Sequence, residues 1–176
     1  MKIAIDIGHT TGRFQPDGTD EHELATSISV HLFKLLTNKK HEAYLVDFPE
    51  MKNGPELVAA ANRINAIAPD LCVSIHCDWG SPAARGAHVI YYPSSKKGKA
   101  VAENVAKHIT ELMPGRSEKT VARNNLYILS HTKCPAILVE CGFMSNRDDA
   151  FMQKHSPNMI AQTIAQGIED SVDTLR

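Results

Sequence analysis

No apolar run in this chain approaches the eighteen or so residues of a membrane span. Met1-Lys2 leads into Ile3-Ala4-Ile5, far too short an apolar stretch for the core of a signal peptide. The chain therefore reads as soluble and cytoplasmic as synthesised. Charge of one sign is missing too. Nineteen Lys and Arg stand against twenty Asp and Glu, a net charge of −1, so no basic excess favours nucleic acid as a partner. The four cysteines, Cys72, Cys77, Cys134 and Cys141, form no CxxC pair. Cys72 and Cys141 lie in or beside apolar runs, where a reduced cysteine acts as a small hydrophobe. No HExxH and no GxGxxG occurs, and Lys97-Gly98-Lys99 lacks the earlier glycine of a phosphate loop, which disfavours nucleotide chemistry. Internal repeats, low-complexity stretches and linkers are likewise missing. With 176 residues, 43% hydrophobic and 22% charged, the sequence reads as one globular domain over residues 1–176.

What is present alternates. Short apolar, β-branched runs predict strands at Lys2–Ile7, Glu42–Phe48, Leu71–Ile75, Ala87–Tyr92, Leu126–Leu129 and Ala136–Val139. Segments of helical period fall between them. Glu21 to Thr37 carries Leu24, Ile28, Leu32 and Leu35 on one stripe. A second helix opens at Asn53-Gly54-Pro55 and buries Leu57, Ala61, Ile64 and Ile67. A third runs from Ser94 to Met113, and the last from Ser156-Pro157 through Val172. The segment Pro114 to Arg123 reads as a polar loop. This pattern predicts an α/β fold with a mixed, mostly parallel sheet between helices.

Open parallel sheets bind ligands at the carboxyl ends of their strands. Three predicted strands end in polar groups: Asp6-Ile7-Gly8-His9, Ser74-Ile75-His76 and Val139-Glu140-Cys141-Gly142. Each alone is compatible with an ordinary loop or core side chain, but parallel pairing would bring two imidazoles and a carboxylate to one edge. Helical projection adds Glu21, which falls inside the stripe of Leu24, Ile28 and Leu32, whereas Glu23 falls outside it and His22 points away. A buried glutamate needs positive charge: its own helix N-terminus supplies some, and a divalent cation more. Two histidines and one carboxylate with an open position form the ligand set of hydrolytic zinc sites. A second carboxylate outside that set, for which Glu140 is the candidate, can then act as general base.

The same residues resemble a known family, the zinc-dependent N-acetylmuramoyl-L-alanine amidases of bacterial cell walls and phage lysins. IAIDIGHTTG is similar to the family's strand followed by D-x-G-H-G-G, DEHELATSISVHLFKLL to its glutamate-led helix, and DLCVSIHCD to its S-I-H-A-N. NNLYILSHTKCPAILVECGFMSN resembles L-Y-V-L…P-A-V-L-V-E-T-G-F-x-S-N. The resemblance covers nearly the whole chain. It implies a three-layer α/β/α sandwich, one zinc ion per chain held by His9, Glu21 and His76, and Glu140 as catalytic base. The implied substrate is peptidoglycan, cleaved at the amide between the lactyl group of N-acetylmuramic acid and L-alanine, with the bacterial cell wall as the site of action. Thr10-Thr11 replaces the family's glycine pair, Asp78 its asparagine, and Cys77 and Cys141 small residues. These departures bear on substrate detail.

Two other readings fit the same residues less well. A cysteine hydrolase would use Cys77 or Cys141, but alternation on an extended segment turns each thiol away from its neighbour His76 or Glu140. A non-catalytic peptidoglycan-binding module would not require a general base. Of the remaining histidines, His31 reads as a core residue, and His22, His41, His108 and His155 as solvent-facing or terminal. His131 is a groove candidate, and His88 could face either way on its strand.

Overall fold

The computed structural model describes residues 1–12, 18–52 and 54–176. Six strands form one sheet in the order β2-β1-β3-β6-β4-β5: β1 (Lys2–Ile7), β2 (Glu42–Val46), β3 (Leu71–Asp78), β4 (His88–Tyr91), β5 (Thr120–Ala122) and β6 (Ala136–Phe143). The block β2-β1-β3-β6 is parallel throughout. β4 runs antiparallel to β6, and β5 runs parallel to β4. The mixed, mostly parallel sheet expected from the sequence is therefore present.

Alternation along the strands divides the core in two. Ile3, Ile5, Val73, Ile75, Val89, Ile137 and Val139 meet the larger helical layer, built from α1 (Glu21–Asn38), α3 (Lys96–Leu112) and α6 (Pro157–Glu169). On α1, Ala25, Ile28, Leu32 and Leu36 are fully buried at intervals of three and four residues, the isoleucine and each leucine contributing about 1.5–3 kcal/mol. The other face carries Ala4, Cys72, Ile90, Ala136 and Leu138 under α2 (Pro55–Ile67) and α4 (Tyr127–His131). This is the helix–sheet–helix layering of the expected sandwich.

Several elements depart from the sequence reading. Leu126–Leu129, expected as a strand, is the cap and first turn of α4. Four apolar residues do not by themselves distinguish a buried helical turn from a strand. The expected polar loop of 114–123 contains β5, whose three residues are too few for a periodic signal. α5 (Arg147–His155) is a helix that the apolar periodicity does not predict. Its signal was the Asn146 cap, which accepts from the Asp148 and Asp149 N–H groups at 3.1 and 3.3 Å. The last expected helix divides into α6 and α7 (Val172–Leu175). Asn53, expected to cap the second helix, lies outside the described residues, and Gly54 stands at the N-cap. Leu36, rather than the partly buried Leu35, completes the α1 stripe. No helix among the described residues is long and apolar enough to cross a membrane.

Candidate metal centre

β1, β3 and β6 all end on the same edge of the sheet, and α1 starts there. His9 follows β1 with φ 62°, a left-handed conformation uncommon for a residue with a side chain. Glu21 is the first residue of α1, placed by the Asp20 cap, whose Oδ1 accepts from the His22 N–H at 3.0 Å. His76 lies within β3, which continues three residues beyond its expected end.

These three side chains converge. His9 Nε2 is 3.1 Å from Glu21 Oε2, and His76 Nδ1 is 3.2 Å from Glu21 Oε1. The two imidazoles meet edge to face with centroids 5.0 Å apart. One potential ligand atom from each residue lies within 4.8 Å of the others. The Cys77 N–H donates to Glu21 Oε1 at 3.0 Å, fixing the carboxylate. Glu23, two residues on, is exposed as the projection required.

Electrostatics tie the three into one unit. Burial disfavours the charged form of Glu21, yet the hydrogen bonds from His76 and His9 hold its carboxyl down at about 2. Burial likewise opposes charge on His76, but the Glu21 hydrogen bond and the charges of Glu140 and Glu21 raise it to about 9. A cation bound here would take the place of those protons, because ligating imidazoles must be neutral. Two imidazoles and one carboxylate, converging and partly open, suit a borderline-soft divalent ion such as zinc.

Glu140 stands beside this cluster without belonging to it. It is the register partner of His76 on β6, so both side chains lie on the same sheet face. Its Oε2 is buried and has no hydrogen-bond partner among the described residues. Burial, reinforced by Asp78 and Glu21, pushes its carboxyl up to about 7 against the pull of His76. A carboxylate poised there is suited to take up and release a proton near neutral pH. Just after it the β3–β6 register slips, Asp78 pairing with Phe143, so β6 bulges at Cys141 and Gly142. Gly142 adopts φ 97°, and an added Cβ would come within 2.7 Å of Met113 Cε. Asp149 ties down this bend, its Oδ2 accepting from Gly86 N–H at 2.7 Å and Phe143 N–H at 3.0 Å.

Cys77 and Cys141 point into the core, 1% and 0% exposed, and burial raises both thiols well above their ordinary range. Thr10 is buried, and Thr11 Oγ1 donates to the Pro49 carbonyl at 3.1 Å, tethering the loop after β1. Asp6 is outside the ligand group and accepts from Ser74 Oγ at 2.5 Å. His22 is buried and paired with Asp47 at 2.9 Å, contrary to its expected solvent exposure: the chain after β2 covers the start of α1. His41 and His108 are also paired, with Glu169 and Asp170, each at 2.7 Å. His155 is exposed and His31 half-buried. His131 is not in the groove: its carbonyl accepts from Asn65, on the last turns of α2 at the opposite sheet edge. His88, which the sequence allows to face either way, stands opposite Glu140 across β4 and β6 and so shares its sheet face.

Residues 3–170 match a protein family described as N-acetylmuramoyl-L-alanine amidase. The chain belongs to this amidase family. It is 26% identical over 173 residues to an N-acetylmuramoyl-L-alanine amidase of Bacillus licheniformis, covering 95% of this chain and 65% of that protein. It is 31% identical over 180 residues to the endolysin of Bacillus phage SPP1, covering 96% of this chain and 65% of the endolysin. The chain thus spans about two thirds of the length of these two relatives. Its fold is that of the N-acetylmuramyl-L-alanine amidase of Mycobacterium smegmatis, with TM-score 0.88 and 22% identity over 99% of this chain and 97% of that one.

Proposed function

We propose that this amidase-family chain hydrolyses the amide between N-acetylmuramic acid and L-alanine in peptidoglycan, with one zinc ion held by His9, Glu21 and His76 and with Glu140 as general base. The observation that carries the reading is the convergence of three ligand atoms within 4.8 Å next to a buried carboxylate outside their set. When bound, zinc polarises the scissile carbonyl and lowers the pKa of water towards about 7. Glu21, its Oε1 held by the Cys77 N–H, fixes the spacing of the two imidazoles. Glu140 takes a proton from the attacking water and returns it to the departing alanine nitrogen, its raised pKa suiting both transfers. The register pairing of His76 with Glu140 keeps base and ligand on one face.

The site of action is the bacterial cell wall, as it is for a wall amidase. Burial of both thiols counts against a cysteine hydrolase using Cys77 or Cys141. A base held beside the ligand cluster counts against a module that only binds peptidoglycan. The test is turnover of purified peptidoglycan. A chelator should abolish it, zinc should restore it, and thiol alkylation of the folded protein should leave it intact. Loss on alkylation with no effect of the chelator would overturn the reading in favour of a cysteine nucleophile, and peptidoglycan binding without turnover in the zinc-restored protein would favour the binding module.

A further inference from the structure

β4 puts a second buried polar group against Glu140. His88 is its register partner across the antiparallel β4–β6 pair, so the row His76, Glu140, His88 crosses three neighbouring strands on one sheet face. Directly opposed residues of an antiparallel pair hold their Cβ atoms about 4.5–5.5 Å apart, within reach of a side-chain hydrogen bond. His88 is 1% exposed, and its chain neighbours Ala87, Val89 and Ile90 are buried hydrophobics. Its Nδ1 and Glu140 Oε2 are both buried atoms with no hydrogen-bond partner among the described residues. An unmade bond at a buried polar atom costs on the order of 1–3 kcal/mol, and these two unpartnered atoms belong to directly opposed residues on one sheet face.

We propose that His88 is a positioning residue for Glu140: its Nδ1–H donates to Glu140 Oε2, directly or through one water, and leaves Oε1 to exchange protons with the substrate. The proposal rests on the reading of Glu140 as the base. His88 is outside the ligand cluster of His9, Glu21 and His76. Burial, with the charges of Arg116 and Arg123, pushes its imidazole down to about 4, so the ring is neutral and carries a single proton. The carboxylate selects the nitrogen that carries it. Held at one oxygen, Glu140 keeps the other aimed beside His76, and without His88 the carboxyl is free to turn.

Two measurements test this. Nitrogen-15 NMR of labelled histidine reads the ring tautomer in the intact protein. We expect the His88 proton on Nδ1 in the native chain and a shift towards Nε2 in Glu140→Ala. Kinetics on zinc-loaded protein give the second readout. His88→Ala should lower kcat roughly 10- to 100-fold, the range for outer-shell partners, with KM and zinc content unchanged. His88→Asn, which keeps a donor near Nδ1, should recover most of that loss. In a Glu140→Ala background, His88→Ala should cost nothing further, because the two residues act as one unit. An Nε2–H tautomer that ignores Glu140, or an equal loss of kcat in both backgrounds, would overturn the proposal. Full turnover by Glu140→Ala would instead overturn the base reading, and the tautomer would still report whether His88 and Glu140 are bonded.

Discussion

Gly8 and the His76 imidazole touch across the β1–β3 pair: a Cβ at residue 8 would sit 2.6 Å from Cε1 and 2.7 Å from Nδ1 of the ring. It would also come within 2.6 Å of the Ile75 carbonyl, which accepts the Gly8 N–H at 2.9 Å. Only a residue without a side chain lets the segment leading to His9 pass this close to the other histidine. Gly8→Ala should therefore displace His76 and release zinc, besides costing about 1–3 kcal/mol of stability. Zinc content after dialysis and a urea unfolding curve measure both effects. A variant that keeps stoichiometric zinc would show that the ligands tolerate a shift of this contact.

Glu21 and Glu23 are chemically identical and two residues apart, yet only Glu21 lies between the two imidazoles. Glu21→Ala should lose zinc and activity, because two imidazoles alone hold the ion weakly. Glu23→Ala, at an exposed position, should keep its metal and stay within roughly ±0.5 kcal/mol of the parent. Metal analysis of both dialysed variants decides the matter. An emptied site in Glu23→Ala with a full one in Glu21→Ala would contradict the assignment.

That choice was legible in the sequence because α1 is long and strongly periodic, so its projection fixes which glutamate faces inward. The strand ends carrying His9, His76 and Glu140 were legible for a related reason: apolar runs covered on both faces stop where polar chemistry begins. The orientation of His88 was not, since it depends on β4 being antiparallel to β6, a pairing set by tertiary contacts. Nor was the helical state of Tyr127–His131, a five-residue element without a side-chain cap. The bulge after Glu140 left only Gly142 as its trace, and the burial of His22 follows from Asp47, twenty-five positions away.

His88 also makes stability depend on pH. Its folded-state pKa, about 4, lies below the ordinary 6.5, so the unfolded chain binds this proton first. The contribution is present above pH 6.5 and is lost as the pH falls towards 4. The protein should therefore lose stability on acidification between pH 7 and pH 5. Urea midpoints at those two pH values should therefore differ more for the parent than for His88→Asn. An equal difference in both proteins would mean that His88 titrates normally in the fold.

Mass analysis of the soluble products released from purified peptidoglycan shows which bond this site cuts. We expect free stem peptides beginning with L-alanine, released only by zinc-loaded protein and leaving the glycan strands uncut. New reducing sugar ends, or peptides cut internally with L-alanine still joined to muramic acid, would contradict the amidase assignment for this site.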